Sequence, residues 1–238
     1  MKKPEDHFDV IYRGHAEQYH ELVIREDTRG NLCTALRGIA DFTGATVVEL
    51  GAGTGRVTKM LAAKAGRVLA FDRSRPMLDV AARYLAEELK STVRLAEADN
   101  RSVPLPDGAA DIVVEGWSFG HTVMDADDGW RAAAEGIIGE ALRLLRPGGT
   151  AILIETLGTG FTSPQPPGPI FPLFFDWLER DLGFTRTWIR TDYTFESVAK
   201  ARELLQFFFG QMVGHEILPT GEVSVPECTG IWWKRKQS

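Results

Sequence analysis

The sequence contains little cysteine. Cys33 and Cys228 are the only two among 238 residues. Two thiols so far apart in sequence lack the close spacing of zinc-binding cysteines, so no metal centre is expected. The opening MKKPEDHFDV has no apolar segment after its basic residues, as a signal peptide would need. We therefore expect a cytoplasmic protein with reduced thiols.

Long apolar runs and an excess of positive charge are also missing. The sequence has no stretch of about 18 consecutive apolar residues, so no membrane-spanning helix is expected. The formal net charge is −6, and an acidic protein has no long-range attraction for nucleic acid. Neither a membrane nor a nucleic acid is therefore an expected partner.

Strand-like and helix-like segments alternate from residue 45 onward. The runs TVVEL, RVLAFD, TVRLAEAD, ADIVVEGW and TAILIET predict five strands, separated by segments with helical spacing of apolar residues. Such alternation predicts a parallel sheet with helices on both faces. Because several of these runs end in an acid, we expect a ligand beyond the carboxyl ends of the strands.

The turn after the first run, in VVELGAGTGRV, has glycine at positions 51, 53 and 55. A triphosphate-binding loop would need lysine and then serine or threonine after its last glycine, but Arg56 and Val57 stand there. The dinucleotide fingerprint needs a glycine at the position that Arg56 occupies. The turn therefore predicts close backbone approach to a different ligand.

Four segments resemble, in order, the motifs of the class I S-adenosylmethionine-dependent methyltransferases. Residues 49–55 resemble motif I, and AFDRSRPML resembles the second motif. AEADNRSVPLPDGAADIVV is similar to the third and fourth motifs, and EALRLLRPGGTAILIE to the helix, turn and fifth strand that follow. The resemblance covers residues 45–156. It implies a Rossmann-like α/β fold with a seven-stranded, mostly parallel sheet, an antiparallel last strand and an N-terminal helical cap.

The same resemblance implies that S-adenosyl-L-methionine is the cofactor. The expected cofactor-binding residues are Tyr19, Glu49, Gly51, Gly53, Gly55, Asp72, Asp99, Asn100 and Glu115. Asp72 is expected to accept both ribose hydroxyls, as charge assistance favours. Asp99 would accept from the adenine amino group, beside the backbone N–H of Asn100. Gly51 would receive the methionine ammonium, near the negative charge of Glu49. Outside this context, Asp72 could stabilise a helix N-terminus and Asp99 could serve a turn.

The residues after the fourth strand, EGWSFGH, stand where this family presents its methyl group. They lack the Asn/Asp-Pro-Pro-aromatic motif of enzymes that methylate nucleobase or glutamine nitrogens, and neither cysteine follows a proline as in cytosine C5 enzymes. We therefore expect methyl transfer to an O or N atom of a small-molecule acceptor, in a group similar to the quinone-biosynthesis methyltransferases. A protein side chain as acceptor, and a non-catalytic S-adenosylmethionine-binding protein, remain as alternatives.

His121 is the candidate catalytic base, because it follows the fourth strand and histidine titrates in a useful range. His15 and His20 lie on the N-terminal segment, and Asp125 is a reserve base. The alternative for His121 is a loop histidine bonded to backbone. The candidates for an apolar acceptor pocket, which could instead complete the core, are Trp117, Phe161, Phe171 and Phe174.

We expect a single domain over residues 1–238. Its parts are a helical cap at 1–44, a cofactor-binding core at 45–156, a proline-rich lid region at 157–185, and C-terminal strands and a helix at 186–238. TRTWIRTDYTF and ECTGIWWKRK predict the last two strands. The intervening LLQFFFG places three phenylalanines in a row, which cannot share one helix face. One is expected to contact a substrate or a partner, such as a second copy in a homodimer, or else the helix ends early.

Overall fold

The computed structural model describes residues 7–85, 87–89 and 91–237, except the side chain of residue 88. Within these residues the strands are β1 Thr46–Leu50, β2 Arg67–Asp72, β3 Val93–Glu97, β4 Ala110–Gly116, β5 Leu145–Thr159, β6 Thr185–Arg190, β7 Tyr193–Phe195, β8 Glu216–Ile217, β9 Val223–Val225 and β10 Glu227–Arg235. The α-helices are α1 His7–Gly14, α2 Ala16–Val23, α3 Asn31–Ile39, α4 Arg56–Ala62, α5 Arg75–Tyr84, α6 Phe119–Asp125, α7 Trp130–Leu144, α8 Ile170–Arg180 and α9 Val198–Phe209. None of the helices in the described ranges is long and apolar enough to cross a membrane.

The main sheet has the order β3-β2-β1-β4-β5-β10-β6. Strand β10 runs antiparallel to both of its neighbours, while the pairs among β1 to β5 are parallel. This confirms the predicted fold class, including the antiparallel last strand. The strand order reverses between β1 and β4, and a ligand cleft is expected at that point in such sheets.

Both faces of the sheet are covered, as a parallel sheet requires. Alternate residues of β1 enter different layers, because successive side chains of a strand point to opposite faces. Val47 packs in the cluster with Leu36 of α3, whereas Val48 packs in the cluster with Ile137 of α7. All four side chains are buried, so the two layers hold the sheet, and hence the cleft, in a fixed position.

The start of α5 is fixed by capping. The Ser74 hydroxyl accepts from the N–H of Met77 at 3.4 Å, and Pro76 lies in the first turn of the helix. Serine at this position satisfies an N–H group that the helix itself cannot pair, and proline there loses no helical hydrogen bond. Because α5 begins only three residues after β2 ends, the connection is short and Asp72 stays at the edge of the sheet.

The N-terminal segment is helical, but its three helices have different positions. Helix α3 packs on the sheet through Leu32 and Leu36, so it belongs to a core layer rather than to a cap. Helices α1 and α2 pack against α5 and α9 and cover the carboxyl ends of the strands. Residues 1–6 of the predicted cap lie outside the described residues.

Most of the predicted lid region, residues 157–185, forms regular secondary structure. Strand β5 continues to Thr159, and α8 begins at Ile170, so both elements extend into the predicted lid region at 157–185. Phe174 and Leu178 of α8 are fully buried in the layer that contains α7, so this helix is part of the core. Only residues 160–169 form an irregular connection. The burial of the apolar face of α8 therefore stabilises a helix here, although the prolines before it predict irregular structure.

The stretch TRTWIRTDYTF does not form one strand. Strand β6 ends at Arg190, and β7 begins at Tyr193 in a separate sheet with the order β7-β9-β8. The buried hydroxyl of Thr191 bonds Thr229 at 2.6 Å and Glu26 at 2.9 Å, which fixes the chain where it leaves the main sheet. Leu204 and Leu205 of α9 pack on the small sheet. Together with α1 and α2, this unit covers the carboxyl edge of the main sheet.

Candidate active site

A cleft of about 320 Å³ lies at the carboxyl ends of β1, β2 and β4. Of the residues predicted from the sequence, its lining includes Tyr19, Gly51, Gly53, Asp72, Asp99, Asn100 and His121. These residues come from five different segments of the chain, which the fold brings to one edge of the sheet. Gly55, Glu49 and Glu115 are not among the lining residues and lie beneath it.

The turn between β1 and α4 forms the floor of the cleft. The N–H groups of Gly51 and Ala52 both donate to the carbonyl of Phe71 at 2.8 Å, which ties the turn to β2. Gly51 has φ +74°, and a Cβ there would collide with the side chain of Ser118. Gly53 has φ +53°, and a Cβ there would meet only Tyr19, at 3.9 Å. Gly51 therefore permits tight packing, whereas Gly53 leaves space above the backbone for a ligand.

Gly55 has a packing role in the structure. With φ +87° it caps α4, and a Cβ there would lie 3.1 Å from Cβ of Ala81 in α5. The third glycine of the turn thus lets two helices approach each other. Gly55 is not among the described residues that line the cleft, and its expected contact with the cofactor stays a prediction.

Asp72 ends β2 and faces the cleft. Its Oδ2 accepts from the N–H of Gly53 at 2.8 Å, and its Oδ1 accepts from the N–H of Ser74 at 2.7 Å. A carboxylate oxygen can accept two hydrogen bonds, so each oxygen retains capacity for a ligand hydroxyl. Burial raises the pKa of Asp72, against the opposing effect of these two N–H groups.

Asp99 lies on the exposed rim of the cleft and forms a bidentate ion pair with Arg101. Nε of Arg101 lies 2.9 Å from Oδ1 of Asp99, and Nη2 lies 2.5 Å from Oδ2. The hydrogen bonds from Arg101 lower the pKa of Asp99 to about 2. Since the N–H of Arg101 also occupies Oδ1, Oδ2 is the oxygen left to accept from a ligand.

Glu49 is buried below the glycine turn, and only 2% of its surface is exposed. Burial raises the pKa of Glu49 to about 8, so this carboxyl is mostly protonated at neutral pH. Burial therefore favours the neutral carboxyl in the ligand-free protein, an effect that the pattern of an acid at a strand end does not reveal. The negative charge of Glu49 beside a ligand stays a prediction.

Glu115 holds the start of α6. Its Oε1 accepts from the N–H of Ser118 at 2.6 Å and from the N–H of Phe119 at 2.9 Å. Burial raises the pKa of Glu115 to about 7, and burial together with the charge of Glu115 raises that of neighbouring Glu155 well above its usual range. Glu115 thus positions the loop between β4 and α6 rather than contacting the cleft itself.

Trp117 has a strained backbone at the boundary of the cleft. Its φ is +55°, a conformation that bulky residues rarely adopt and that often occurs at functional sites. The guanidinium carbon of Arg56 lies 4.3 Å from the centre of its ring, and Arg56 also pairs with Glu26 at 3.0 Å. The ring is therefore held in place by a buried ion pair on its face.

His121 pairs with a residue that the sequence patterns did not indicate. Its Nε2 lies 2.9 Å from the hydroxyl of Tyr12, and the ring of Phe8 packs against it with centroids 4.6 Å apart. Burial raises the pKa of Tyr12 well above its usual range. The phenol of Tyr12 therefore stays protonated in this pair.

A second cavity of about 380 Å³ adjoins the cleft. Tyr12, Tyr19, Trp117 and His121 line both spaces, so these side chains form a shared boundary. Among the predicted pocket aromatics, Trp117, Phe161 and Phe171 line the second cavity, whereas Phe174 is fully buried in the core.

The three consecutive phenylalanines of α9 divide between two surroundings. Phe208 and Phe209 line the second cavity, and Phe207 packs against the ring of His15 with centroids 5.8 Å apart. Helix α9 extends to Phe209, so the alternative that it ends early does not hold. Two of the three phenylalanines, Phe208 and Phe209, thus form part of the wall of the second cavity.

Sequence comparison matches residues 48–153 to the family described as "Methyltransferase domain". The chain is 30% identical over 149 residues to an uncharacterized methyltransferase of Anoxybacillus flavithermus, covering 63% of this chain and 62% of that protein. It is 33% identical over 161 residues to a demethylmenaquinone methyltransferase of Clavibacter sepedonicus, covering 67% and 58%. A crystal structure of a putative methyltransferase from Bacillus halodurans shares the fold, with TM-score 0.58 and 20% identity over 88% of this chain and all of that one.

These matches cover the segment in which the glycine turn, Asp72 and Asp99 form the cleft. Residues 48–153 form a methyltransferase domain, with the motifs and the fold of the class I S-adenosylmethionine-dependent methyltransferases. S-adenosylmethionine is the cofactor of this family. The chain spans only about three fifths of the length of the two relatives. The second cavity, moreover, has much of its wall outside residues 48–153.

The cleft fits this cofactor. The backbone is open above Gly53, and both carboxylate oxygens of Asp72 can still accept hydrogen bonds from ribose hydroxyls. The unused position on Asp99 suits an adenine amino group. S-adenosylmethionine carries no phosphate, and the two arginines of the cleft are already paired, Arg73 with Asp9 and Arg101 with Asp99.

The sequence patterns missed Tyr12 and Arg101. Phe8 and Tyr12 are spaced by four residues, so both lie on one face of α1, and this spacing was an available signal. Arg101 follows Asp99 by two positions, but nothing in the sequence distinguishes a bidentate pair from two solvated charges. Both residues change how the predicted site residues act.

We predict that Asp72→Asn weakens S-adenosylmethionine binding by roughly 10- to 100-fold, since hydrogen bonds to a charged group contribute about 1.5–3 kcal/mol each. Isothermal titration calorimetry measures the dissociation constant. The matched control is Asp79→Asn, on the exposed side of α5, where Asp79 pairs with Arg75. An unchanged dissociation constant for Asp72→Asn, in a variant that still unfolds cooperatively, would leave Asp72 with only a role in the turn.

We also predict that the folded protein loses stability as the pH rises from about 5 to 8. Burial raises the pKa of Glu227 to about 8, with the charge of Glu26 adding to it, and the usual value is 4.5. Glu227 therefore holds a proton in the folded chain that the unfolded chain releases, and its contribution is lost as pH rises through the folded pKa. Glu49 acts in the same direction.

Glu227→Gln should therefore lose less stability than the parent between pH 5 and 8. Urea unfolding at several pH values measures this, and Glu216→Gln, at an exposed position of β8, is the control. Parallel pH curves for the parent and Glu227→Gln would show that Glu227 is ionised in the folded state.

Proposed function

We propose that the chain transfers a methyl group from S-adenosylmethionine to an O or N atom of a small-molecule acceptor. The observation that carries this proposal is the shared boundary between the two spaces. The cleft fits the cofactor, and the second cavity meets it at Tyr12, Tyr19, Trp117 and His121. A cofactor site that adjoins a second cavity has room for a second reactant, which a non-catalytic binding protein would not need.

Bound S-adenosylmethionine supplies a methyl group that its sulfonium already activates. The task of the chain is then to hold and orient the reactants and to keep water away, which can account for much of a rate enhancement. Asp72, Asp99 and the glycine turn would hold the adenosine and methionine parts. The aromatic side chains of α1, α2 and α9 cover the second cavity and would limit the access of water.

The pair of Tyr12 and His121 would handle the acceptor proton. His121 lies at the boundary, where the acceptor atom must approach the methyl group. Its hydrogen bond to Tyr12 fixes the orientation of the imidazole ring. His121 is therefore the proposed general base, and Tyr12 is a positioning residue that acts through it.

The direct test is a screen of small molecules for release of S-adenosylhomocysteine, with mass spectrometry of the methylated product. The proposal expects turnover with at least one compound that carries a hydroxyl or amino group. Tight cofactor binding without turnover on a broad panel, together with turnover on a protein substrate, would overturn the small-molecule assignment.

We predict that His121→Ala lowers the maximal rate by roughly 10²- to 10⁴-fold, the usual range for general acid–base catalysis. Cofactor affinity should be nearly unchanged. Tyr12→Phe should cause a smaller loss and should shift the pH profile of kcat, which a purely structural role would not do. His215→Ala is the control, because His215 is exposed and bonds only the nearby carbonyl of Val213 among the described contacts. Full activity of His121→Ala would leave catalysis to positioning alone.

A further inference from the structure

The second cavity is aromatic on several sides. Phe8, Phe161, Phe171, Phe208 and Phe209 line it, and they come from α1, α8, α9 and the loop after β5. Aromatic rings pack well on other aromatic rings in offset or edge-to-face arrangements, with a gain beyond the buried area. The walls therefore favour a flat aromatic molecule over an aliphatic or strongly hydrated one.

The size of the cavity limits the acceptor. An engineered apolar cavity of about 150 Å³ in another protein binds one benzene ring. At about 380 Å³, this cavity has room for two rings with their substituents. A long isoprenoid chain would not fit inside together with such a ring system and would have to extend into solvent through the opening of the cavity.

The positive charge at the cavity wall is already paired. Arg56 is the only arginine or lysine among its described lining residues, and it is paired with buried Glu26 at 3.0 Å. Glu155 and Glu227 add two more buried carboxyl groups to the wall. The Arg56 charge is thus already paired, and a buried anion without its own counter-charge is costly. Buried Nη1 of Arg56, which has no hydrogen-bond partner among the described residues, can still donate to a neutral oxygen of the acceptor.

Glu227 can make a further hydrogen bond. Its Oε1 accepts from the hydroxyl of Thr156 at 2.7 Å, while its buried Oε2 has no hydrogen-bond partner among the described residues. Buried polar atoms without partners are rare in folded proteins. A polar substituent of a bound ligand would satisfy this atom after a small movement of the side chain.

We propose that the methyl acceptor is a compact, uncharged aromatic compound of one or two rings that bears a free hydroxyl group. This inference rests on the proposed function, because it assigns the class of acceptor to that same site. The hydroxyl is presented at the boundary with the cleft, next to His121. In the transfer, the hydroxyl oxygen forms the new C–O bond, its proton passes to His121, and the S–CH₃ bond breaks with its electron pair returning to sulfur.

The test compares three matched probes in the presence of the cofactor: 2-naphthol, 3-hydroxy-2-naphthoate, and a naphthol with a long isoprenoid chain. Calorimetry in the presence of S-adenosylhomocysteine measures binding, and mass spectrometry measures methylation with S-adenosylmethionine. We expect 2-naphthol to bind at least about tenfold more tightly than the carboxylate and to give 2-methoxynaphthalene. Preference for the carboxylate or for the isoprenoid compound would overturn the assigned class.

Two variants locate the probe in the cavity. Phe161→Ala removes a half-exposed wall residue and should weaken 2-naphthol binding several-fold, whereas Leu173→Ala, at an exposed position of α8, should leave it unchanged. Glu26→Gln frees Arg56 and should narrow the preference for 2-naphthol over the carboxylate. Equal effects of Phe161→Ala and Leu173→Ala would place the probe elsewhere and contradict the inference.

Failure of the inference differs from failure of the proposed function. If 2-naphthol binds, but neither it nor any compound of the wider screen gives a methylated product, the acceptor class is supported and methyl transfer is contradicted. Turnover with aliphatic amines or anionic compounds, and none with aromatic hydroxyls, supports methyl transfer but overturns the acceptor class.

Discussion

The architecture of the site depends on one set of hydrogen bonds, between the glycine turn and the end of β2. Two N–H groups of the turn donate to the carbonyl of Phe71, and a third, from Gly53, donates to Asp72. These bonds hold the turn flat against β2, so that the backbone above Gly53 is open and the Asp72 carboxylate faces the same space. Loss of this arrangement would displace the cleft floor and the ribose-binding acid together.

Buried acids form the second feature on which the account rests. Glu49, Glu115, Glu155 and Glu227 all lie close to the two cavities, and burial raises the pKa of each. Groups with shifted pKa values often cluster at functional sites, although structural networks produce the same effect. The roles of these acids differ. Glu115 holds the loop after β4, whereas Glu227 lines the second cavity and its Oε2 has no hydrogen-bond partner among the described residues.

Much of the fold could be predicted from the sequence, because strand and helix periodicity alternate clearly between residues 45 and 156. The positions of Asp72 and Asp99 also followed, since parallel strands carry their carboxyl ends to one edge of the sheet. Three other features could not be predicted. The neutral state of Glu49 depends on its burial, the contact of Gly55 with Ala81 depends on the approach of two helices, and the hydrogen bond of His121 to Tyr12 joins positions 109 residues apart. Each is a property of tertiary packing and leaves no local pattern.

The central claim is that the cleft binds S-adenosylmethionine with its methyl group directed to the boundary with the aromatic cavity. A crystal structure of the complex with S-adenosylhomocysteine tests this most directly. The account predicts ribose hydroxyls on Asp72, the adenine amino group on Asp99, and the sulfur atom facing the pair of Tyr12 and His121. A ligand bound in the reverse orientation, or with its sulfur directed away from the second cavity, would contradict the account.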